Sequence, residues 1–397
     1  MNGNYMRTLS CAAVAAILTW ASAAALADPT AVPSVAASPA AVAPAPSPAA
    51  SATPSVALHG VLSESMAFTS SVNAAGSFDT PTGADRSTRV NTSNAFALLT
   101  KSSGTWQYAV QAGAYSIPVV GVAGNKTIQT NANTDLYGPV PLAYVEYAPT
   151  GSFNVSAGIL ATLTGAESTF TYLNWNIQRG SVWNVENAVS RGVRATMSAG
   201  KLTATLGVND GFYSGHFGAA EGALTYAPDS ADSLLFVTLI PNSRTPGNVT
   251  ATVANKELLN LVLTHTRGAL QIAPYILYAR SPAATALGYN GPESAFGVAF
   301  LANLTLSPHF STAFRYETLH NSSLPGDPSA NADLVGYGAG SGTNTITLTP
   351  AWTNGHTFAR VDFSTIRLTS SSPGLGFGAD GTGHDQFRTM LEVGVQM

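Results

Sequence analysis

Residues 309–320 read HFSTAFRYETLH. Taken at every second position the stretch separates cleanly: Phe310, Phe314 and Tyr316 stand on one side, Ser311, Arg315 and Glu317 on the other. An extended strand turns successive side chains to opposite faces, whereas a helix would mix the two sets around its axis. The same separation recurs on either side. In 106–115, Trp106, Tyr108, Val110, Ala112 and Ala114 oppose Gln107, Gln111 and Gly113. In 357–366, Val361 and Phe363 oppose Arg360 and Asp362, and in 385–397, Phe387, Leu391, Val393 and Val395 oppose Arg388, Glu392 and Gln396. Charges therefore fall in mid-strand, opposite a large apolar face, and the two faces must meet different solvents.

Such runs recur near 57–70, 93–100, 105–116, 141–148, 152–163, 191–199, 201–209, 221–228, 232–240, 256–267, 269–279, 295–306, 309–320, 344–352, 357–368 and 385–397. They predict an all-β chain of about 16 strands, with roughly 12–18 compatible with the turn signals. The links alternate in length. Those after even-numbered strands are brief, such as Pro149-Thr150-Gly151, Gly200, Gly268 and Ser307-Pro308. The others are long, around 72–92, 117–140, 164–190, 210–220, 241–255, 280–294, 321–343 and 369–384. Short turns at one end and long loops at the other are the pattern of a transmembrane antiparallel up-and-down β-barrel.

Composition agrees. Of 397 residues 45% are apolar and only 10% charged, against roughly 25% charged in an ordinary soluble domain. A soluble sandwich of the same strands would set many charges on its outer faces, but here Ser, Thr, Asn, Gln and Gly fill most polar positions. The net charge of −4 speaks against a nucleic-acid binder, which needs a basic surface. Beyond the N-terminus there is no apolar run long enough for a membrane helix. A closed barrel resolves this, since it satisfies its own backbone and needs apolar residues only at alternate positions.

The N-terminus predicts export. One positive charge in 1–7 precedes an Ala-rich apolar run from Leu9 to Leu26, and Ala25-Leu26-Ala27 supplies a cleavage pattern, so 1–27 is expected to be a signal peptide. Its removal takes the net charge from −4 to −5 and discards Cys11, the sole cysteine. Residues 28–55 hold seven Pro among Ala and Ser and are expected to form a periplasmic tether reaching about 85 Å in polyproline II form. The barrel is assigned to 56–397.

Between Thr164 and Ser190 the alternation stops, and the chain reads TGAESTFTYLNWNIQRGSVWNVENAVS. Trp175, Asn176, Arg179, Trp183, Glu186 and Asn187 concentrate there, giving this third long loop aromatics to bury and polar groups to satisfy. Two compatible expectations follow. The loop folds into the lumen and narrows it, with Arg179 and Glu186 setting a local field; or it is a plug whose polar side chains hold it in place.

The stretches Asn174-Trp175-Asn176-Ile177-Gln178-Arg179-Gly180, 183–192 and 209–215 resemble the OmpL-like β-barrel porin family of Gram-negative bacteria. The resemblance implies an outer-membrane barrel with a passive pore and no assigned catalysis. One departure is the last residue, Met397, where such barrels usually carry Phe; it keeps to the apolar face. The expected function is passive diffusion of small hydrophilic solutes or ions, the alternative a non-conducting structural or adhesion barrel with a plugged lumen. Pore-wall residues are expected to be Glu146, Arg194, Arg315, Glu317, Arg360, Asp362, Arg388 and Glu392, four acids against four bases, hence weak charge selectivity.

No catalytic arrangement stands out. His59, His216, His265, His309, His320, His356 and His384 are dispersed without metal-ligand spacing. GAGSG at 338–342 lacks the Gly two places before Ser341 that a nucleophile elbow requires, and spacing does not pair Asp210 with Glu221 as acid and base. The chain is expected to be no enzyme and to use no cofactor or metal. Its expected partners are outer-membrane lipid, small hydrophilic solutes, the barrel-assembly machinery and, as an open alternative, further copies of itself, with no nucleic acid.

Overall fold

A computed structural model of the protein describes residues 56–73, 86–123, 137–241, 256–283, 291–322 and 333–397. The expected leader and tether lie outside these residues. The strands are β1 (Val56–Thr69), β2 (Thr88–Lys101), β3 (Trp106–Tyr115), β4 (Leu142–Thr150), β5 (Phe153–Ala161), β6 (Val189–Ala199), β7 (Leu202–Asn209), β8 (Ala219–Tyr226), β9 (Asp232–Pro241), β10 (Glu257–Arg267), β11 (Leu270–Ile272), β12 (Tyr275–Ser281), β13 (Glu293–Ser307), β14 (Phe310–Asn321), β15 (Gly342–Asn354), β16 (Thr357–Ser370) and β17 (Asp385–Gln396). Each pairs antiparallel with its neighbours, and β1 pairs with both β2 and β17, which closes the sheet. Segments β11 and β12 both pair with β10 and with β13. They are two halves of one strand, so the barrel has sixteen.

The interruption has a local cause. Pro274 has no N–H to give the ladder. The adjacent groups stay paired: Leu263 N donates to Pro274 O at 3.0 Å and Ala273 N to Leu301 O at 2.8 Å. The expected strand 269–279 is therefore split. The expected strand 93–100 begins earlier, at Thr88, because the β1–β2 register shifts opposite Ser63/Glu64 and a bulge reverses which parity faces outward. Alternation read across it loses phase.

The outward face is apolar and exposed, with Leu206, Leu234, Phe236, Phe300, Phe314, Ile346 and Val393 among its residues. Aromatics gather at both rims. Trp106, Tyr147, Phe153, Tyr226 and Phe310 stand by the short turns, Phe68, Phe296 and Phe387 at the long-loop ends. Trp106 and Tyr147 pack with ring centroids 4.9 Å apart. Such paired girdles mark the two interfaces of a barrel in a bilayer.

The inward face is not uniformly polar, which differs from the expectation. On β14–β17 it carries Arg315, Glu317, the threonines 343, 345, 347 and 349, Arg360, Asp362, Arg388 and Glu392, all buried. On β9–β13 it carries Leu235, Val237, Leu239, Leu258, Val262, Leu277 and Leu301, which form a dry core with Ala166, Val182 and Val185 of the third long loop. Both faces of these strands are apolar, the outer one exposed and the inner one packed against the loop.

Candidate functional site

The loop between β5 and β6 contains short 3₁₀ turns at Thr171–Leu173 and Trp183–Val185, and most of its backbone groups have no ladder to join. Buried backbone groups must be paired, and the inward side chains of β14–β17 pair them. Asp362 accepts from Ile177 N at 3.0 Å and Gln178 N at 2.8 Å, and also from Thr349 Oγ1 at 2.6 Å. Glu317 accepts from Ser181 N at 2.9 Å, Val182 N at 3.3 Å and Thr345 Oγ1 at 2.7 Å. Arg360 donates to Asn174 O at 2.6 Å and Thr171 O at 2.7 Å while pairing with Glu392 at 2.7 Å. Arg388 donates to Val119 O at 3.0 Å and Val122 O at 2.8 Å, on the preceding long loop. Arg315 pairs with Glu167 at 2.5 Å and Glu317 at 3.4 Å.

Two glycines allow the approach. A methyl group on Gly180 would overlap the Glu317 carboxylate, well inside the 3.0 Å that Cβ atoms essentially never breach. One on Gly297 of β13 would lie 2.9 Å from both γ-carbons of Val182. The loop is thus fitted closely on its polar and its apolar side.

The loop residues singled out from sequence are all brought into this packing. Arg179 is wholly buried, donates to Ile177 O at 2.9 Å and to Thr169 O, and lies 5.7 Å from the Trp183 ring centroid. Burial pulls its pKa down, opposed by the carboxylates of Glu167 and Glu392. Asn176 Nδ2 donates to Thr349 Oγ1 at 2.6 Å, and Asn187 Nδ2 to Ser190 Oγ at 3.2 Å. Trp175 packs half-buried on the apolar cluster. Glu186 is buried and its pKa is raised by desolvation. Arg179 and Glu186 thus face the loop's own packing.

Sequence reasoning passed over Glu167, although it stands in the quoted stretch, because its partner Arg315 is far along the chain. It also passed over Lys256, whose Nζ is buried, donates to Val185 O at 3.1 Å and lies 4.5 Å from the Phe212 ring centroid. Burial brings its pKa down to about 7.

Glu146 and Arg194 belong elsewhere. Cross-strand register places Gln107, Glu146, Ser156, Arg194, Gly207 and Glu221 directly opposite one another in sequence across β3–β8, one residue per strand. Ser156 Oγ donates to Glu146 Oε2 at 2.7 Å. Arg194 reaches across Gly207 to Glu221, with Nε–Oε1 at 2.8 Å and Nη2–Oε2 at 3.2 Å. A Cβ on Gly207 would sit 2.7 Å from that Oε1, so glycine is what lets the fork close. Tyr144, Glu146, Arg194 and Thr196 of this sector stay half-buried, unlike the sealed charges on β14–β17.

A closed sixteen-strand sheet, an apolar outer band with two aromatic rims and a charged inner wall define an outer-membrane β-barrel of the porin type. Solved structures with this fold include an anion-selective porin from Comamonas acidovorans (12% identity, TM-score 0.57, covering 87% of this chain and 100% of that one). The outer-membrane channel DcaP of Acinetobacter baumannii is similar too (11%, 0.56, 88% and 99%), as is OmpT of Vibrio cholerae in a trimer form (10%, 0.54, 87% and 100%). No curated protein sequence matches the chain. Residues 55–397 match the family described as "Putative beta-barrel porin-2, OmpL-like", and the chain belongs to that family.

Proposed function

We propose that the barrel is a passive diffusion pore for small hydrophilic solutes or ions, with the loop between β5 and β6 folded into the lumen and narrowing it. The observation that carries this reading is the asymmetry of the inner wall. The loop is hydrogen-bonded to inward side chains on β14–β17, while inward Tyr144 and Glu146 of β4 and Arg194 and Thr196 of β6 keep part of their surface in water. On this reading the wetted sector is the path and the docked loop its far bank. No catalytic step is assigned. Residues 1–27 direct export and 28–55 tether the barrel on the periplasmic side of a Gram-negative outer membrane. Lipid, the assembly machinery and further copies of the chain are its partners.

A second reading is favoured by the complete burial of Arg315, Glu317, Asp362 and Glu392, which also suits a plug. Purified protein in a planar bilayer separates the two. The pore reading expects stepwise conductance that rises when 168–188 is deleted. A silent barrel supports the plug, and a conducting barrel whose steps are unchanged by the deletion shows that the loop does not narrow the path.

A further inference from the structure

We infer that the pore prefers cations and that Glu146 is the residue that sets this preference, an inference that rests on the pore reading above. Eight wall charges are predicted from sequence in equal numbers of each sign, but the structure does not leave them equivalent. Arg315, Glu317, Arg360, Asp362, Arg388 and Glu392 are spent on the loop, none more than 7% exposed. Their charges are matched by partners a few ångströms away, so a passing ion meets dipoles there instead of net charge. What remains in the wetted sector is the row across β3–β8.

Within that row the signs do not cancel. Arg194 and Glu221 form a bidentate pair, made possible by the gap at Gly207. Glu146 receives its hydrogen bond from a neutral hydroxyl, that of Ser156. The row therefore carries one uncompensated negative charge, on a half-buried side chain in mid-strand. The other half-buried inward charge of the described strands, Arg89, lies at the opposite, long-loop end of β2. For an ion passing about 6 Å from a carboxylate in water, screened by about 0.1 M salt, a univalent cation is favoured over an anion by about threefold. Substrates of matching chemistry are small cations and neutral polar solutes, with small anions disfavoured.

The test is the reversal potential of the full-length protein in a planar bilayer under a potassium chloride gradient. The expected potassium-to-chloride permeability ratio is about 3 for the natural protein. It falls to about 1 in Glu146→Gln, which keeps the side chain's size and its acceptor for Ser156, and drops below 1 in Glu146→Lys. A natural ratio at or below 1 overturns the inference, as does a Glu146→Gln ratio equal to the natural one. A conducting barrel with either result refutes this assignment alone, whereas a silent barrel refutes the pore reading beneath it.

Discussion

Replacing Gly180 with alanine is expected to undock the loop between β5 and β6. The added methyl would overlap all three atoms of the Glu317 carboxyl group, so either Glu317 or the loop must withdraw. Glu317 is fixed by Thr345 Oγ1 at 2.7 Å and by Arg315 at 3.4 Å, with no solvent beside it. The loop moves more easily, and in moving it surrenders the bonds from Ser181 N and Val182 N to an ionised acceptor. At ~1.5–3 kcal/mol for each bond to a charged group, the loss is about 3–6 kcal/mol. That shifts the docked-to-undocked ratio by about 10²–10⁴. Single-channel recording then gives larger conductance steps than the natural protein, and the stretch 164–190 becomes open to protease in the folded barrel. The steric account adds a control: in a Glu317→Ala background the methyl has nothing to strike, so its own cost falls below about 1 kcal/mol. Unchanged steps and unchanged protease protection in Gly180→Ala would show that the Gly180–Glu317 contact does not hold the loop in place.

Asp362→Ala orphans Ile177 N and Gln178 N and removes an acceptor from Thr349, at a cost of about 3–5 kcal/mol; loop proteolysis and thermal unfolding should both show it, and equal protection in variant and natural protein would count against the pairing. Lys256 gives a pH dependence of defined sign. Its folded pKa of about 7 lies below its ordinary value of 10.5, so between these limits the unfolded chain holds the extra proton and stability rises with pH. Below the folded pKa the full penalty of a buried ammonium applies. Lys256→Met should therefore be more stable than the natural protein at pH 7 and should lose the rise toward pH 10; a melting temperature that climbs equally in both proteins would rule this out. Glu186, with a raised pKa, acts in the opposite sense, its contribution falling as pH climbs through its folded value, and Glu186→Gln should flatten that decline in the same melts.

The strands were legible because their evidence is local. Alternation in 309–320 sets Arg315 and Glu317 opposite Phe314 and Tyr316, and the first pair is buried while the second is exposed. Local features also obscure the pattern. Pro274 divides a run that hydropathy alone joins, and the bulge near Ser93 hides the first turns of β2. The dry inner face of β9–β13 left a trace in the near-continuous apolar runs at 234–237 and 258–263. Strands apolar on both faces read in that way, but period-two alternation by itself does not say what covers the inner face.

For the candidate site the balance is different. The stretch 164–190 announces a segment that must bury Trp183 and satisfy Arg179, yet its partners Glu317 and Asp362 lie well over a hundred residues away. No periodicity connects them.

Local pattern alone established a barrel, the facing of strands such as 309–320 and 357–366, and the loop that carries an unusual load. A period of two and the lengths of links are properties of neighbours along the chain, and they survive in the one-dimensional record. Strand register and loop docking settle which wall charges are buried against the loop and which, such as Glu146 and Arg194, stay half-buried. The tertiary structure also decided that Gly180, Gly207 and Gly297 are among the points where another group comes close. Barrel closure sets one residue per strand side by side in register, and strand register is a relation between distant segments that no single strand encodes.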